Sequence, residues 1–300
     1  MKPTSIIFMI VAVLLVIGGL ITVGVARQYA AAEGIELTDR IDTDSEAYLF
    51  TYEYDADSIA KIAIDVKNTR VNIIGGAAKP YIELINFADG MYEFSSANRN
   101  LIISNNTDIT SITGIASAAM NFKGLRSLIN YYNISGLEKT VNIYLCSEYP
   151  VNVIDCHIAR GDVEITGGNT ATDYNIEIEK GNLTVDGVTT SSALNAIIGA
   201  GDVNIASSVI GTLDAEIEKG NMTSDARAAK TAVTIQNGDF SYTYGGSVQD
   251  LIRKLFTNVG VITLDGIAHG GYVEYTDLPS YYDTVHVSIG SGDITINSAS

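Results

Sequence analysis

One ten-residue phrase recurs six times between residues 156 and 296, and few folds can accommodate it. The copies are 156–165 (CHIARGDVEI), 176–185 (IEIEKGNLTV), 196–205 (AIIGAGDVNI), 215–224 (AEIEKGNMTS), 233–242 (VTIQNGDFSY) and 287–296 (VSIGSGDITI). In each, an apolar residue precedes a glycine by three positions, Asp or Asn follows the glycine, and an apolar residue comes next. The apolar pairs are Ile158/Val163, Ile178/Leu183, Ile198/Val203, Ile217/Met222, Ile235/Phe240 and Ile289/Ile294, always five apart. Such an offset describes a strand ending on an inward side chain, a four-residue bend, and a new strand starting inward. That is the corner of a parallel β-solenoid with rungs of about 18–21 residues.

The bend explains its own residues. At the corner the chain leaves the β region, and glycine reaches positive φ without a Cβ clash. The neighbouring Asp or Asn accepts hydrogen bonds from amides the bend exposes. The structural corners are therefore Gly161-Asp162, Gly181-Asn182, Gly201-Asp202, Gly220-Asn221, Gly238-Asp239 and Gly292-Asp293. Calcium-binding solenoids carry carboxylates on their turns too, but at a nonapeptide period. Here the period is about 20 and Asn replaces Asp at two corners, so no metal and no cofactor is expected.

Around this core the chain reads as one all-β unit over 59–300, with irregular strands over 59–145 and regular rungs over 146–300. Ile64, Val66, Val71 and Ile73 repeat the corner spacing with Asn68-Thr69-Arg70 in place of the Gly-Asp bend. Further strands are expected at 81–85, 92–94, 101–104 and 140–145. Two stretches have helical spacing, 118–132 and 248–256, the latter through Val248, Leu251, Ile252, Leu255 and Phe256. They predict one or two short helical insertions, the second filling the long gap between Gly238 and Gly292. A weaker corner at Gly270-Gly271, followed by Val273 and Tyr275, fits the remainder. The right-handed rule for parallel crossovers sets the expected hand. The last strand, at 294–296, would leave an edge open to self-association.

Residues 6–26 (IIFMIVAVLLVIGGLITVGVA) contain no charge, and fourteen of them are Ile, Leu, Val or Phe. As a helix they would span about 32 Å, and their insertion is favoured by roughly 4–8 kcal/mol. The expectation is a transmembrane helix through the lipid bilayer, longer than a cleaved signal core. A cytoplasmic tail (1–5) precedes it and an extracytoplasmic linker (27–58) follows, placing the bulk of the chain outside a cell membrane. Asp and Glu number 35 against 18 Lys and Arg, a formal charge of −17. That balance argues against nucleic acid, whose recognition rests on basic residues.

No catalytic motif stands out. His157, His269 and His286 are the only histidines, and no His-Glu-x-x-His, Gly-x-Ser-x-Gly or phosphate-binding loop occurs. Glu177, Glu179, Glu216 and Glu218 alternate with inward positions and read as a solvated face. Cys146 and Cys156 could pair outside a membrane, although Cys156 shares the inward parity of Ile158. The exposed feature with binding character is a tyrosine-rich C-terminal part: Tyr242, Tyr244, Tyr272, Tyr275, Tyr281 and Tyr282.

The phrases TVNIYL, RGDVEI, KGNLTV, AGDVNI and KGNMTS, with IDVKNTRVNIIGG at 64–76, carry a resemblance over most of 59–300. The chain resembles a bacterial "putative adhesin" family of unknown function built on a repetitive β-solenoid. The resemblance implies a surface protein, often membrane-anchored, some members lying beside envelope-stress or two-component genes, and brings no catalytic residues. Cys146, where the family often has proline, and the stretch 247–259 depart from its pattern. The expected function is a non-enzymatic scaffold or adhesion module for a surface polymer or protein. The alternatives are an envelope-stress or signalling accessory working through a membrane partner, and a carbohydrate-active enzyme.

Overall fold

The computed structural model describes residues 28, 49–54, 59–87, 92–97, 99–105, 136–146, 148, 151–168 and 171–299. The expected transmembrane segment 6–26 and the helical stretch 118–132 lie outside the described residues. Among the described residues, no helix is long and apolar enough to cross a membrane. The larger compact unit, 46–300, contains every strand among the described residues.

Period-two alternation of apolar and polar residues makes strands, and glycine bends join them. In chain order these are β1 (Leu49–Glu53), β2 (Lys61–Asn68), β3 (Arg70–Ala77), β4 (Tyr81–Ile85), β5 (Tyr92–Ala97) and β6 (Asn100–Asn105). The series continues with β7 (Thr140–Cys146), β8 (Val151–Arg160), β9 (Val163–Thr166), β10 (Ala171–Lys180), β11 (Leu183–Asp186) and β12 (Thr189–Ala200). Then come β13 (Val203–Ala206), β14 (Val209–Lys219), β15 (Met222–Ser224), β16 (Arg227–Asn237), β17 (Phe240–Tyr244) and β18 (Ile252–Val259). The last are β19 (Ile262–Leu264), β20 (Ile267–His269), β21 (Tyr272–Tyr275), β22 (Thr284–Ser291) and β23 (Ile294–Ser298).

These strands form one sheet of 12 and one of 11, enclosing a single core. In each regular rung a long strand belongs to the 11-stranded sheet and a short one, after the bend, to the 12-stranded sheet. Pairing is parallel and in register, so equivalent side chains stack in columns. One inward column runs Val66, Ile158, Ile178, Ile198, Ile217, Ile235, Ile289, Thr257. Across the bend it is matched by Val71, Val163, Leu183, Val203, Met222, Phe240, Ile294, Ile262. None of these sixteen residues is more than 3% exposed, which makes them the dry spine of the unit.

Chain order and spatial order part company at both ends. The strand pairs run β6/β7, β2/β3, β8/β9, then regularly to β16/β17, then β22/β23, and finally β18/β19. The last segment of the chain is thus inserted between the rungs of Gly238 and Gly260. This corrects the expectation that 294–296 forms an exposed edge: β23 has parallel neighbours on both sides. Both ends carry antiparallel strands instead. β4 and β1 follow β7, β5 covers β6, and β20 and β21 cover β19 and β18. Antiparallel caps of this kind terminate the parallel ladder that would otherwise invite another chain.

Two further expectations are corrected. The stretch 248–256 is not a helical insertion: one 3-10 turn (Val248–Asp250) leads into strand β18. Arg253 and Thr257 occupy inward positions there, and their polarity disguises the alternation of a strand as helical spacing. Each finds local acceptors, although Nε of Arg253 stays buried without a hydrogen-bond partner. Arg253 donates through one guanidinium nitrogen to the carbonyls of Val248 (2.7 Å) and Leu251 (3.1 Å), and its cation lies over the Tyr275 ring, 4.8 Å from the centroid. The Thr257 hydroxyl donates to the Gly292 carbonyl at 2.8 Å. Nor is Gly270-Gly271 a corner. The bend of that rung is Gly260, at φ +155°, and Gly270-Gly271 connects the antiparallel caps β20 and β21.

Candidate ligand-binding face

In-register stacking builds two distinct columns on the outside, one at the bends and one on the flat of the 11-stranded sheet. The bend column contains all six corner pairs singled out in the sequence. Their glycines lie at φ between +140° and +152°, and a Cβ at Gly181, Gly201, Gly220, Gly238 or Gly292 would fall within 2.0 Å of the preceding corner's carbonyl oxygen. The Asx side chains form a ladder between rungs. The Asp162 carboxylate accepts from the Asn182 amide N–H (2.8 Å), Asn182 Oδ1 from Asp202 N–H (2.9 Å), and Asp202 from Asn221 N–H (2.7 Å). Asn221 accepts from Asp239 N–H (2.9 Å) and Asp239 from Asp293 N–H (2.7 Å).

From Asp162 to Asp239, Asp and Asn alternate, which has an electrostatic sense, and only Asp239 and Asp293 stack carboxylate next to carboxylate. The side-chain amides of Asn182 and Asn221 each donate to a neighbouring carboxylate at 3.2 Å, separating charges that stacking alone would place side by side. Asp202→Asn preserves the acceptor and should leave stability within about 0.5 kcal/mol. Asp202→Ala removes it and should cost about 1 kcal/mol. Urea midpoints of the two variants measure the difference; equal midpoints would show that the ladder is ornamental.

The second column is polar and sits six residues before the bends at Gly161, Gly181, Gly201 and Gly220: Asp155, Asn175, Asn195, Asp214. Asn175 donates to Asp155 (2.6 Å) and Asn195 to Asn175 (2.8 Å). Lys61 pairs with the free end of Asp155. Burial opposes ionisation of Asp155, but the hydrogen bonds from Asn175 and Lys61, with the Lys61 charge, outweigh it and hold its carboxyl below the usual range. Beside this ladder, four residues before each bend, run Asp65, His157, Glu177, Ile197 and Glu216. Between the two columns lies a shallow cavity of about 310 Å³. Its apolar walls include Ile102 and Ile197, 42% and 52% exposed, and its polar floor includes Asn175 and Asn195.

His157 marks the centre of this face. Its Nδ1 lies 3.0 Å from Asp65, and that hydrogen bond is the main cause of a raised pKa. Desolvation opposes the rise, while Glu177, the Asp65 charge and Glu179 reinforce it. A raised folded-state pKa stabilises the fold fully below the ordinary value of about 6.5 and loses that contribution as pH climbs through the raised value. Asp65→Asn should therefore lower the His157 pKa, read from its imidazole NMR titration, and flatten the stability loss above about pH 6.5. An unmoved titration in that variant would remove Asp65 as the cause.

The other singled-out residues fall in different places. Tyr242 and Tyr244 are not on an exposed face: both are buried, at 1% and 8% exposure, where inward parity puts them. The Tyr242 hydroxyl donates to the Ala226 carbonyl at 2.9 Å and that of Tyr244 to Asp283 at 3.2 Å. Tyr272 and Tyr275 are exposed on cap strand β21, and Tyr281 stacks on Tyr282 with centroids 4.8 Å apart. Glu177, Glu179, Glu216 and Glu218 are exposed on the outer face. Cys146 and Cys156 are both buried and free.

The sequence profile of the family described as Toastrack DUF4097 matches residues 59–266. None of the curated proteins matches. Among solved structures, the chain is similar to a "putative adhesin" from Bacteroides fragilis, at 16% identity over 84% of this chain and 97% of that one, with a TM-score of 0.50. It is also similar to a "putative cell adhesion protein" from Clostridium sporogenes (13% identity, 84% and 99% covered, TM-score 0.41). A third is a "putative lipid binding protein" from Parabacteroides distasonis (11% identity, 87% and 100% covered, TM-score 0.39). At such identities the likeness concerns the fold.

Proposed function

We propose that this chain, which belongs to the Toastrack DUF4097 family, is a non-enzymatic binding scaffold displayed outside a cell membrane by an anchor at residues 6–26. The observation that supports the reading is the stacked outer face of the 11-stranded sheet. There Asp155, Asn175 and Asn195 hold one another in a fixed row, with Ile102 and Ile197 exposed beside them. Amide side chains held in place offer donors and acceptors at rung spacing, about 4.8 Å, and exposed aliphatics add contact area. A ligand with hydroxyls on one side and an apolar face, such as a surface glycan chain, matches both elements.

The test is binding of the full-length chain in detergent to a glycan array and to whole cells. Asn195→Ala and Ile197→Ser serve as comparisons, since both change the face and leave the core untouched. The expected result is saturable binding that either substitution weakens at least several-fold. No glycan binding, together with co-purification of a membrane partner, would favour the signalling-accessory alternative and end this one.

A further inference from the structure

The bend column stops at Thr69, and what lies beyond it is not another bend. Thr69 takes the glycine's place: a Cβ on Gly161 would fall 2.0 Å from the Thr69 carbonyl oxygen, as each later glycine meets the one before. Past Thr69 the outermost rung supplies residues 136–139, which lead straight into β7. A cavity of about 580 Å³ remains there, lined by residues 68–70 and 136–139 with Arg160 and Gly161.

Its chemistry is unlike the rest of the surface. In a chain of formal charge −17, three cations, Arg70, Lys139 and Arg160, line one cavity. Arg70 is shared between two carboxylates, Glu138 at 3.6 Å and Asp162 at 3.7 Å. Among the described residues, Lys139 and Arg160 have no carboxylate within ion-pairing distance. Lys139 is also half-buried, and desolvation lowers its pKa. Two donors on lining residues lack hydrogen-bond partners altogether: the buried hydroxyl of Thr69, a residue only 2% exposed, and Nε of Arg70. Glu138, at 3.6 Å, is beyond hydrogen-bond reach of that nitrogen. Three cations and two unpartnered donors gather here against one lining carboxylate, Glu138.

We infer that this cavity is a binding site for a phosphate group, free or carried on a lipid headgroup. A phosphate presents several acceptor oxygens at once. The Arg160 fork and the Lys139 ammonium would neutralise its charge, and the unpartnered Thr69 hydroxyl is a further donor on a lining residue. The site lies at the bend, apart from the outer-face row, so it does not rest on the scaffold's proposed ligand.

Calorimetry of the full-length chain in phosphatidylcholine nanodiscs tests it, with inorganic phosphate as one titrant and short-chain phosphatidylglycerol, below its micellar concentration, as the other. Chloride at matched ionic strength is the control. Saturable heat with phosphate assigns a free anion; heat with phosphatidylglycerol alone assigns a headgroup. Either must weaken at least tenfold in Lys139→Gln/Arg160→Gln and several-fold in Thr69→Val. If the double variant fails to fold, Arg160→Gln alone, at an exposed side chain, supplies the comparison. Heat with neither titrant, an adventitious ion effect shared by chloride, or binding unchanged in the variants would overturn the assignment.

Discussion

Gly201→Ala is expected to remove the folded state, a far larger effect than an alanine usually has. Gly201 sits at φ +152° in the middle of the ladder, and its Cβ would be 1.8 Å from the Gly181 carbonyl oxygen. The backbone term alone is of order 1–3 kcal/mol. Relief of the overlap requires rungs to separate, yet Gly181 N–H and Leu183 N–H are both bonded to the next rung at 2.9 Å. The sum should exceed about 5 kcal/mol, comparable to the whole net stability of an ordinary domain. Gly187→Ala is the matched comparison. It also has positive φ, +65°, but nothing lies within 4 Å of its Cβ position, so about 1–2 kcal/mol of strain is all it should cost. Soluble yield and thermal melts of the two variants decide the matter. Comparable losses would mean that dihedral preference, rather than the stacked carbonyls, selects glycine here.

The same geometry shows what could be read from residues alone. Corner spacing located both inward columns because every member from Ile158 to Ile235 is apolar and the bend length never varies. The outer row was also within reach. Stepping back six positions from Gly161, Gly181, Gly201 and Gly220 lands on Asp155, Asn175, Asn195 and Asp214, and four back from Thr69 and Gly161 lands on Asp65 and His157. Strand β18 escaped because its inward residues include Arg253 and Thr257, whose hydrogen bonds exist only once the cap has formed. Its bend escaped because Val261, not Asp or Asn, follows Gly260; as at the other corners, the Asx of the adjacent rung, Asp293, accepts from the Val261 amide, at 2.7 Å. Tyr242 and Tyr244 looked like surface aromatics, but their hydroxyls find buried or half-buried acceptors, Ala226 and Asp283. The order of stacking was invisible for a different reason: near-identical rungs carry no information about which neighbour each will choose.

That order makes the C-terminus a sharp test. If rungs stacked in chain order, deleting residues 284–300 would trim one end and leave the rest intact. In the structure β22 lies between β16 and β18, and β23 between β17 and β19. The deletion therefore breaks four parallel pairings and exposes two rung surfaces that were never meant to meet water. It also removes Val285, Val287, Ile289, Ile294 and Ile296, all at most 3% exposed. Five such side chains contribute roughly 8–15 kcal/mol of burial, as much as a domain's entire margin. Two bend contacts disappear as well, the Asp293 carboxylate on Val261 N–H and the Asp239 carboxylate on Asp293 N–H. Closing the gap by docking β18 directly on β16 would require β18 and β19, with their caps β21 and β20, to move by a whole rung, about 4.8 Å. The truncated chain should melt at least 10 °C lower or fail to fold, with proteolysis beginning in 240–283. A truncated chain that keeps its melting temperature and resists protease up to residue 283 would refute the inserted rung.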